Sequence, residues 1–280
     1  MMEERICLIT GANSGIGKET AKVLAKMNVT VVMLCRNKER GEEARKEIIE
    51  QTGNKRVDLL LCDLSSQNAI RKAVSEFKNK YQNLHILINN AGVMLKKRKL
   101  SVEGYEMNFA AHLLAPFLLT NLLLDTLKKS APSRIINVAS AAHKRAKMDF
   151  DDLQSENKKY SLFRVYGVSK LAEILFTYEL SRRLEGTKVT ANTLHPGVVN
   201  TNLSRDHSKY SQWFAKKFFK SPEEGAETSI YLASSPEVEG ITGKYFINKE
   251  PRQSSEESYN EEYAKRLWKI CAEMTGLNVQ

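Results

Sequence analysis

The sequence predicts an α/β fold with one doubly wound, seven-stranded parallel sheet and helices on both faces. Short runs rich in Ile, Val and Leu alternate with longer segments of helical period, which is typical of such a sheet. Ser221-Pro222-Glu223-Glu224 also indicates the start of the last crossover helix, because a capping Ser precedes Pro and an acidic first turn. The predicted strands are residues 5–10, 29–35, 56–62, 84–90, 133–140, 189–195 and 244–248. The predicted helices lie near residues 15–27, 38–52, 66–80, 103–129, 164–185 and 222–234.

Length and composition favour a single domain. The chain has 280 residues, of which 42% are hydrophobic and 27% are charged, and no stretch resembles a linker. We therefore expect one domain over residues 1–280, with a C-terminal helical tail at 256–276. Residues 200–220 follow a strand end and predict either a flap over a pocket or a surface helix that packs its aromatic side chains on the domain. The aromatic residues of this segment are Trp213, Phe214, Phe218 and Phe219.

No targeting or membrane-spanning segment is indicated. Residues 1–5 lead almost directly into the first strand, and the longest apolar run, residues 113–124, is shorter than the roughly 20 residues that cross a bilayer. Cys7, Cys35 and Cys62 lie in apolar strand-like runs, which favours buried thiols in a reducing compartment over disulfides or a metal site. We expect a cytoplasmic protein without a membrane span or a bound metal; peripheral membrane contact stays open.

The formal net charge of +10 raises the question of nucleic-acid binding. Basic clusters occur in KKRK at 96–99 and AKKFFK at 215–220. The other basic residues are spread along the chain, however, and no nucleic-acid-binding module is recognisable. Solvated charged faces explain this pattern better, so we expect no nucleic-acid partner.

A glycine-rich turn follows the first predicted strand and opens the first helix. Its sequence is TGANSGIGKET, with the glycines spaced G-x-x-x-G-x-G. Glycine permits positive φ and lets backbone N–H groups approach a pyrophosphate, which then lies at the positive end of the helix. The turn therefore predicts a dinucleotide site, beyond the carboxyl ends of the strands where such sheets bind ligands. Its expected contacts are Gly11, Asn13, Ser14, Gly15, Ile16 and Gly17.

The end of the second predicted strand bears on which dinucleotide binds. A site selective for NAD places an acidic side chain there to accept the ribose 2′-OH. This chain has Arg36 instead, with Lys38 and Arg40 nearby, and a guanidinium suits a 2′-phosphate. Taken alone, Arg36 is an exposed arginine at a helix start; combined with the glycine turn, it favours NADP(H) as the cofactor.

Two further strand ends supply candidate cofactor contacts. Asp63 can accept from the adenine amino group, with the backbone of Leu64 beside it. Asn90, Ala91 and Gly92 would let the chain pass close to the cofactor ribose. Each set also has a simpler explanation, with Asp63 capping the next helix and Asn-Ala-Gly forming a turn.

Tyr166 and Lys170 stand four residues apart in YGVSK, hence on one face of a predicted helix. A free tyrosine ionises near pH 10, and positive charge close to the phenol favours its ionised form, so a neighbouring ammonium makes the phenol a better acid or base. Ser140, just after the fifth strand, can donate to a substrate oxygen and hold it near the phenol. A half-buried helix pair is the alternative explanation of Tyr166 and Lys170.

These motifs together resemble the short-chain dehydrogenase/reductase family. The matching segments, in chain order, are TGANSGIG, NNAG, the serine of NVAS, YGVSK and HPGVVNT, and they cover nearly the whole chain. LCRN, DFDDLQSE and NEEYAKRLWKICAEMTGL are similar to the retinol dehydrogenase branch. The resemblance implies a Rossmann-type fold, a hydride carried by a nicotinamide cofactor, and Tyr166, Lys170 and Ser140 as catalytic residues.

The resemblance also carries expectations for individual contacts. It implies that Lys170 binds the nicotinamide ribose and that Val199 and Thr201 contact the carboxamide. It further implies a homodimer formed through the helices at 103–129 and 164–185, although the apolar residues of these helices could equally pack inward.

The sequence departs from the family pattern at two points. Ser140 and Tyr166 are 26 residues apart, a longer gap than is usual in the family, but the LQSE-containing insertion is what the retinol dehydrogenase branch carries there. More seriously, the family's catalytic asparagine position holds His112, and Asn108 lies one turn earlier. A ring nitrogen of His112 could hold the relay water that the asparagine holds in the family, and the ring can titrate near neutral pH. We therefore expect turnover that is slowed or altered in its pH dependence. Replacing His112 with Asn should raise or preserve the activity.

Two functions follow from these observations. The first is an NADP(H)-dependent oxidoreductase that transfers a hydride to or from a carbonyl or alcohol of an apolar molecule such as a retinal, lipid aldehyde or ketone. The second is an NADP(H)-binding regulatory protein whose catalysis is weakened at His112. The presence of Ser140, Tyr166 and Lys170 favours the enzyme.

Overall fold

The structure is a computed structural model that describes residues 5–199 and 220–278. Within this part of the chain, eight strands form one sheet. They are β1 (Ile6–Thr10), β2 (Thr30–Cys35), β3 (Val57–Leu61), β4 (Ile86–Asn89), β5 (Ser133–Val138), β6 (Val189–His195), β7 (Tyr245–Ile247) and β8 (Glu250–Arg252). Their order across the sheet is β3-β2-β1-β4-β5-β6-β7-β8. The order reverses between β1 and β4, and such switch points are where open α/β sheets bind ligands.

The described part of the chain has seven helices, six of which pack on the sheet. They are α1 (Gly15–Lys26), α2 (Lys38–Thr52), α3 (Gln67–Lys80), α4 (Met107–Lys129), α5 (Leu162–Arg183), α6 (Pro222–Ser234) and α7 (Glu261–Thr275). The predicted helix at 103–129 thus begins four residues later, and its segment Ala110–Leu114 is π-helical. Such π-segments are frequent at functional sites.

The fold class is the predicted one, but the strand count is not. Strands β1 to β7 pair in parallel, and β8 adds an antiparallel edge to β7. The seven predicted parallel strands are all present, and the sheet has one further, antiparallel strand that was not predicted. The sequence of β8 is Glu-Pro-Arg, exposed at each position, so no apolar run predicts it, and an edge strand tolerates the missing N–H of Pro251. Asn248 and Lys249 both have positive φ, which suits the two-residue hairpin turn before it.

Apolar side chains fill both sides of the sheet. One layer packs α3, α4 and α5 against the strands, with Phe77, Phe117 and Leu175 fully buried. The other layer packs α1, α2 and α6, with Leu24, Ile48 and Leu232 buried. The sheet is buried on both faces, and β2 and β5 are buried at every position. The polar side chains of β5 are bonded inside the protein, Arg134 to the carbonyl oxygens of Leu232 and Ser235 and Asn137 to Thr177.

Helix α4 lies inside the molecule. Among the described helices it alone is long and apolar enough, by length and composition, to cross a membrane. However, 78% of its most apolar 18-residue window is buried against the rest of the chain. Burial of this kind is typical of a core helix.

The predicted tail at 256–276 consists of a short 3-10 turn, Glu256–Tyr259, followed by α7. Trp268 of α7 packs against two rings of the helices beneath it. Its ring centroid lies 4.9 Å from that of Phe117 on α4 and 5.8 Å from that of Phe176 on α5. Helix α7 therefore occupies part of the two-helix face that the family resemblance assigns to a homodimer, and the homodimer stays a prediction.

Candidate active site

The glycine turn between β1 and α1 is shaped by two different demands on its glycines. Gly11 and Gly15 have φ of +68° and +56°, the left-handed region that side chains other than glycine rarely adopt. Gly17 is instead required by space, because a Cβ there would lie 2.4 Å from Asn90 Nδ2 and 2.6 Å from the Gly11 carbonyl oxygen. Ser14 caps α1 without a side-chain hydrogen bond, so the first amides of the helix are available to an anion.

The segment after β4 is bonded to this turn. The backbone N–H groups of Asn90 and Ala91 each donate to Thr10 Oγ1 at 2.9 Å, and Asn90 Nδ2 donates to the Thr10 carbonyl oxygen at 2.9 Å. The predicted contacts at the first and fourth strand ends therefore meet at the switch point. A backbone cradle that a Cβ would fill, beside an open helix N-terminus, fits a dinucleotide pyrophosphate.

Arg36 and Asp63 lie at the ends of the next two strands. The Gly11 N–H donates to the Leu34 carbonyl and the Cys62 N–H to the Cys35 carbonyl, both at 2.9 Å, which places these strand ends beside the turn. The Arg36 side chain is exposed. Asp63 Oδ1 accepts from the Ser65 N–H and hydroxyl.

The suggestion that Asp63 caps the next helix was wrong, because Ser66 caps α3 by accepting from the Ala69 N–H. Leu64, the other predicted contact at this strand end, is half-buried.

Val199 approaches the glycine turn from the other side. A Cβ added to Gly225 of α6 would lie 2.6 Å from Val199 Cγ2 and 3.1 Å from Ile16 Cγ1. Gly225 therefore leaves room for Val199 to lie close to Ile16. The other predicted carboxamide contact, Thr201, and the predicted flap with its four aromatic residues lie outside the described residues.

Tyr166 and Lys170 lie on one face of α5, with Lys170 Nζ 6.0 Å from the centroid of the Tyr166 ring. Tyr166 is half-buried and Lys170 is buried. Between them, Gly167 allows α5 to approach the 3-10 segment Ala141–Arg145, because a Cβ there would meet the Ala142 carbonyl oxygen at 3.0 Å. Ser140 precedes this segment and its Oγ accepts from the Ala142 N–H, which leaves the hydroxyl proton free to donate.

His112 of α4 lies beside this pair and is fully bonded within the protein. Its Nε2 accepts from the Val93 N–H at 2.9 Å, so the proton of the neutral ring is on Nδ1, which lies 2.8 Å from Ser169 Oγ. Ser169 in turn donates to the Tyr166 carbonyl oxygen. The His112 ring packs edge-on against the Tyr166 ring, with centroids 5.5 Å apart.

Burial lowers the pKa of His112 well below 6.5, and the Lys170 ammonium lowers it further. The expectation that His112 titrates near neutral pH was therefore wrong. The expectation that it holds a relay water is also not met, because both ring nitrogens already have protein partners. One turn earlier, Asn108 Nδ2 donates to Glu106 and to the Tyr160 hydroxyl, and Asn108 Oδ1 is buried with no hydrogen-bond partner among the described residues.

A comparison with family models gives a match described as short chain dehydrogenase over residues 5–212. The chain belongs to the short-chain dehydrogenase family. It is therefore an oxidoreductase that acts on CH–OH or C=O groups with a nicotinamide cofactor, and the cradle around Gly11, Gly17 and Asn90 fits that group.

Individual relatives of this short-chain dehydrogenase cover almost the whole chain. Human polyprenol dehydrogenase is 44% identical over 285 aligned residues, which include 98% of this chain and 86% of the relative. Mouse retinol dehydrogenase 13 is 45% identical over 278 residues, 96% of this chain and 83% of the relative. A crystal structure of an uncharacterised protein from Mycobacterium paratuberculosis superposes with a TM-score of 0.80 at 31% identity, covering 98% of this chain and 94% of that one. The resemblance to the retinol dehydrogenase branch is thus confirmed.

Two buried residues of this short-chain dehydrogenase site were missed by the sequence analysis. Glu173 Oε2 lies 2.8 Å from Lys170 Nζ, and both side chains are almost completely buried. His143 Nε2 accepts from the Ser255 N–H, so its Nδ1 donates to the Ser140 carbonyl oxygen at 2.6 Å and ties the Ser140 loop to the C-terminal segment. Glu173 had a visible signal, since it is an acidic residue in the apolar run KLAEILF, one turn after Lys170.

Proposed function

We propose that this protein is an NADP(H)-dependent oxidoreductase that transfers a hydride between the nicotinamide and a carbonyl or alcohol group of an apolar small molecule. The observation that carries this proposal is the close packing of α5 at Gly167, between Tyr166 and Lys170, on the segment that directly follows Ser140. These three side chains lie at the same edge of the sheet as the glycine turn. A cytoplasmic location remains a prediction from the sequence.

The choice of NADP(H) rests on Arg36. The exposed guanidinium follows β2, whose end is bonded to the glycine turn through the Gly11 N–H. The guanidinium is planar and permanently charged, so at this position it can bind the 2′-phosphate of the adenine ribose through two hydrogen bonds. The position where an NAD-selective site has an acid thus carries a cation here.

The chemistry needs a proton donor and a group that stabilises negative charge on oxygen. When bound, the reduced nicotinamide supplies the hydride that forms the new C–H bond at the carbonyl carbon. The Tyr166 hydroxyl gives its proton to the carbonyl oxygen, so the C=O double bond becomes a single bond to a hydroxyl. Ser140 donates a hydrogen bond to the same oxygen while charge develops on it. The Lys170 ammonium, 6.0 Å from the ring centroid, stabilises the phenolate left on Tyr166. Alcohol oxidation is the reverse.

The substrate class is inferred from the relatives. One is named for polyprenol and another for retinol, and both of these alcohols carry long hydrocarbon chains. The predicted aromatic flap supports the same class. We therefore propose an apolar aldehyde, ketone or alcohol as the substrate.

The test is NADPH oxidation with a panel of aldehydes and ketones that includes retinal. Tyr166→Phe should lower kcat by about 10²- to 10⁴-fold, the usual contribution of a general acid, and leave NADPH binding unchanged. Tyr178→Phe is the matched control on the same helix, because the Tyr178 hydroxyl contacts Ser254 rather than the site. Equal rates for wild type and Tyr166→Phe would contradict the proposal. A wild type that binds NADPH and reduces no carbonyl would favour the regulatory function instead.

A further inference from the structure

Glu173 lies one turn after Lys170 on α5 and forms a buried ion pair with it. Glu173 Oε2 is 2.8 Å from Lys170 Nζ, and the two side chains are 2% and 4% exposed. Carboxylates and ammonium groups are almost never fully buried unless they are paired, because either charge alone is costly away from water. The position of each charge in the site therefore depends on the other.

The remaining bonds of Lys170 show how the ammonium is oriented. One of its three N–H donors goes to Glu173 and a second to the Val138 carbonyl oxygen of β5, each at 2.8 Å. Gly92 lies close to the Lys170 ammonium, because a Cβ added to Gly92 would lie 4.0 Å from Lys170 Nζ and 3.0 Å from His112 Nε2. Lys170 is thus anchored by two protein groups, with one donor left for the cofactor crevice.

The structure around Glu173 holds it in place. The Thr177 hydroxyl donates to the Glu173 carbonyl oxygen and accepts from Asn137 Nδ2 of β5. The titratable groups beside the pair include Tyr166 on α5 and His112 on α4. From β5, the Val138 carbonyl oxygen contacts Lys170 and Asn137 contacts Thr177, whereas Arg134 bonds to Leu232 and Ser235. Burial raises the pKa of Glu173 to about 7, whereas Lys170 lowers it. His112 is neutral and cannot serve as the counter-ion.

We propose that Glu173 is a positioning residue that holds the Lys170 ammonium against β5 and keeps it charged for proton transfer at Tyr166. In this chain the family's asparagine position is taken by His112, whose ring nitrogens are committed to Val93 and Ser169. The charged partner of Lys170 therefore lies on its own helix, beside the neutral Val138 carbonyl oxygen of β5. The inference rests on the proposed function where turnover is concerned, but the anchoring of Lys170 also bears on cofactor binding.

The test compares wild type with Glu173→Gln, which keeps the shape of the side chain and removes its charge. An anion within hydrogen-bonding distance favours an ammonium, so its loss should move the alkaline limb of the kcat profile for carbonyl reduction to lower pH by about 1 to 3 units. The affinity for NADPH at alkaline pH, measured by fluorescence titration, should fall about tenfold. The reason is that a neutral Lys170 no longer makes the charge-assisted hydrogen bond expected between its ammonium and the nicotinamide ribose. Glu173→Asp retains the charge on a shorter side chain and should shift the limb by less.

Glu179→Gln is the matched control. Glu179 is equally buried on α5 and pairs with Arg182 and Arg183, away from the site. It should leave the pH profile and NADPH affinity unchanged. The inference is overturned if Glu173→Gln has the wild-type profile and affinity, or if Glu179→Gln reproduces its effects.

The test still decides if Glu173→Gln does not fold or if the wild type reduces no carbonyl. If Glu173→Gln does not fold, Glu173→Asp decides, and an unshifted limb with unchanged affinity would count against the inference. If wild type reduces no carbonyl, the proposed function fails on its own, and the titrations with NADPH still decide whether Glu173 supports Lys170.

Discussion

The glycine turn and helix α5 meet in one crevice, yet they follow the family pattern to different degrees. At the turn, each glycine is required either by its backbone conformation, as at Gly11, or by the close approach of neighbouring atoms, as at Gly17. On α5, Tyr166 and Lys170 match the motif, but the groups that surround Lys170 include a neutral histidine and a buried glutamate.

This difference has a physical cause. A backbone cradle depends on the space between main-chain atoms, and any residue other than glycine would fill that space with its Cβ. The charge of an ammonium, in contrast, can be supported by any suitably placed acceptor, so different side chains can do it. We therefore expect substitutions at the turn to have larger effects on binding than charge-conserving changes around Lys170.

The largest effect is expected for Gly17→Ala. The added methyl would overlap Asn90 Nδ2 and the Gly11 carbonyl oxygen, so the turn or the segment after β4 must move. Overpacking of this kind costs about 1 to 3 kcal/mol of stability, and displacement of the cradle should weaken NADPH binding by about 100-fold, close to 3 kcal/mol. Fluorescence titration and urea denaturation measure the two effects.

Gly41→Ala is the control for this substitution. Its Cβ would meet the Leu59 methyl groups at 2.8 Å, but those are the ends of a flexible side chain that can rotate away. Comparable loss of NADPH binding in both variants would mean that the turn is not specially constrained.

A smaller effect is expected for Arg36→Asp at the second strand end. The change removes a cation that can bind the 2′-phosphate and supplies a carboxylate that repels it, while the ribose 2′-OH of NADH gains an acceptor. The dissociation constant for NADPH should rise about 10- to 100-fold, and that for NADH should change little. Lys46→Asp, an exposed position on α2, controls for the change in net charge. Equal effects on both cofactors would refute the 2′-phosphate assignment.

The same comparison shows what the sequence can predict. The glycine turn and the NNAG segment were predictable because positive φ and a strand-turn-helix pattern are local properties of the chain. The seven parallel strands were predictable because apolar runs alternate with helical segments along the chain, whereas the three residues of β8 carry no apolar signal. The fold class was therefore within reach of the sequence.

The state of the groups around Lys170 was not predictable in the same way. His112 was identified, but its neutral form depends on burial and on bonds from Val93 and Ser169, which are distant in sequence. Glu173 is visible in the sequence as an acidic residue at a helical spacing from Lys170. Its importance depends on the exclusion of water, which only tertiary packing decides.

The last of these effects is confined to part of the pH range, a change in stability with pH that originates at Glu173. Burial raises its pKa from an ordinary value of 4.5 to about 7 in the folded protein. Folding therefore favours the protonated carboxyl, so this group's contribution to stability is complete below about pH 4.5 and is lost as the pH rises through about 7. The unfolding free energy of wild type, relative to Glu173→Gln, should fall by about 2 kcal/mol between about pH 5 and pH 8. Urea denaturation across this range measures it. A difference that does not vary with pH would mean that Glu173 titrates as an exposed carboxyl does, and that its burial beside Lys170 has no electrostatic consequence.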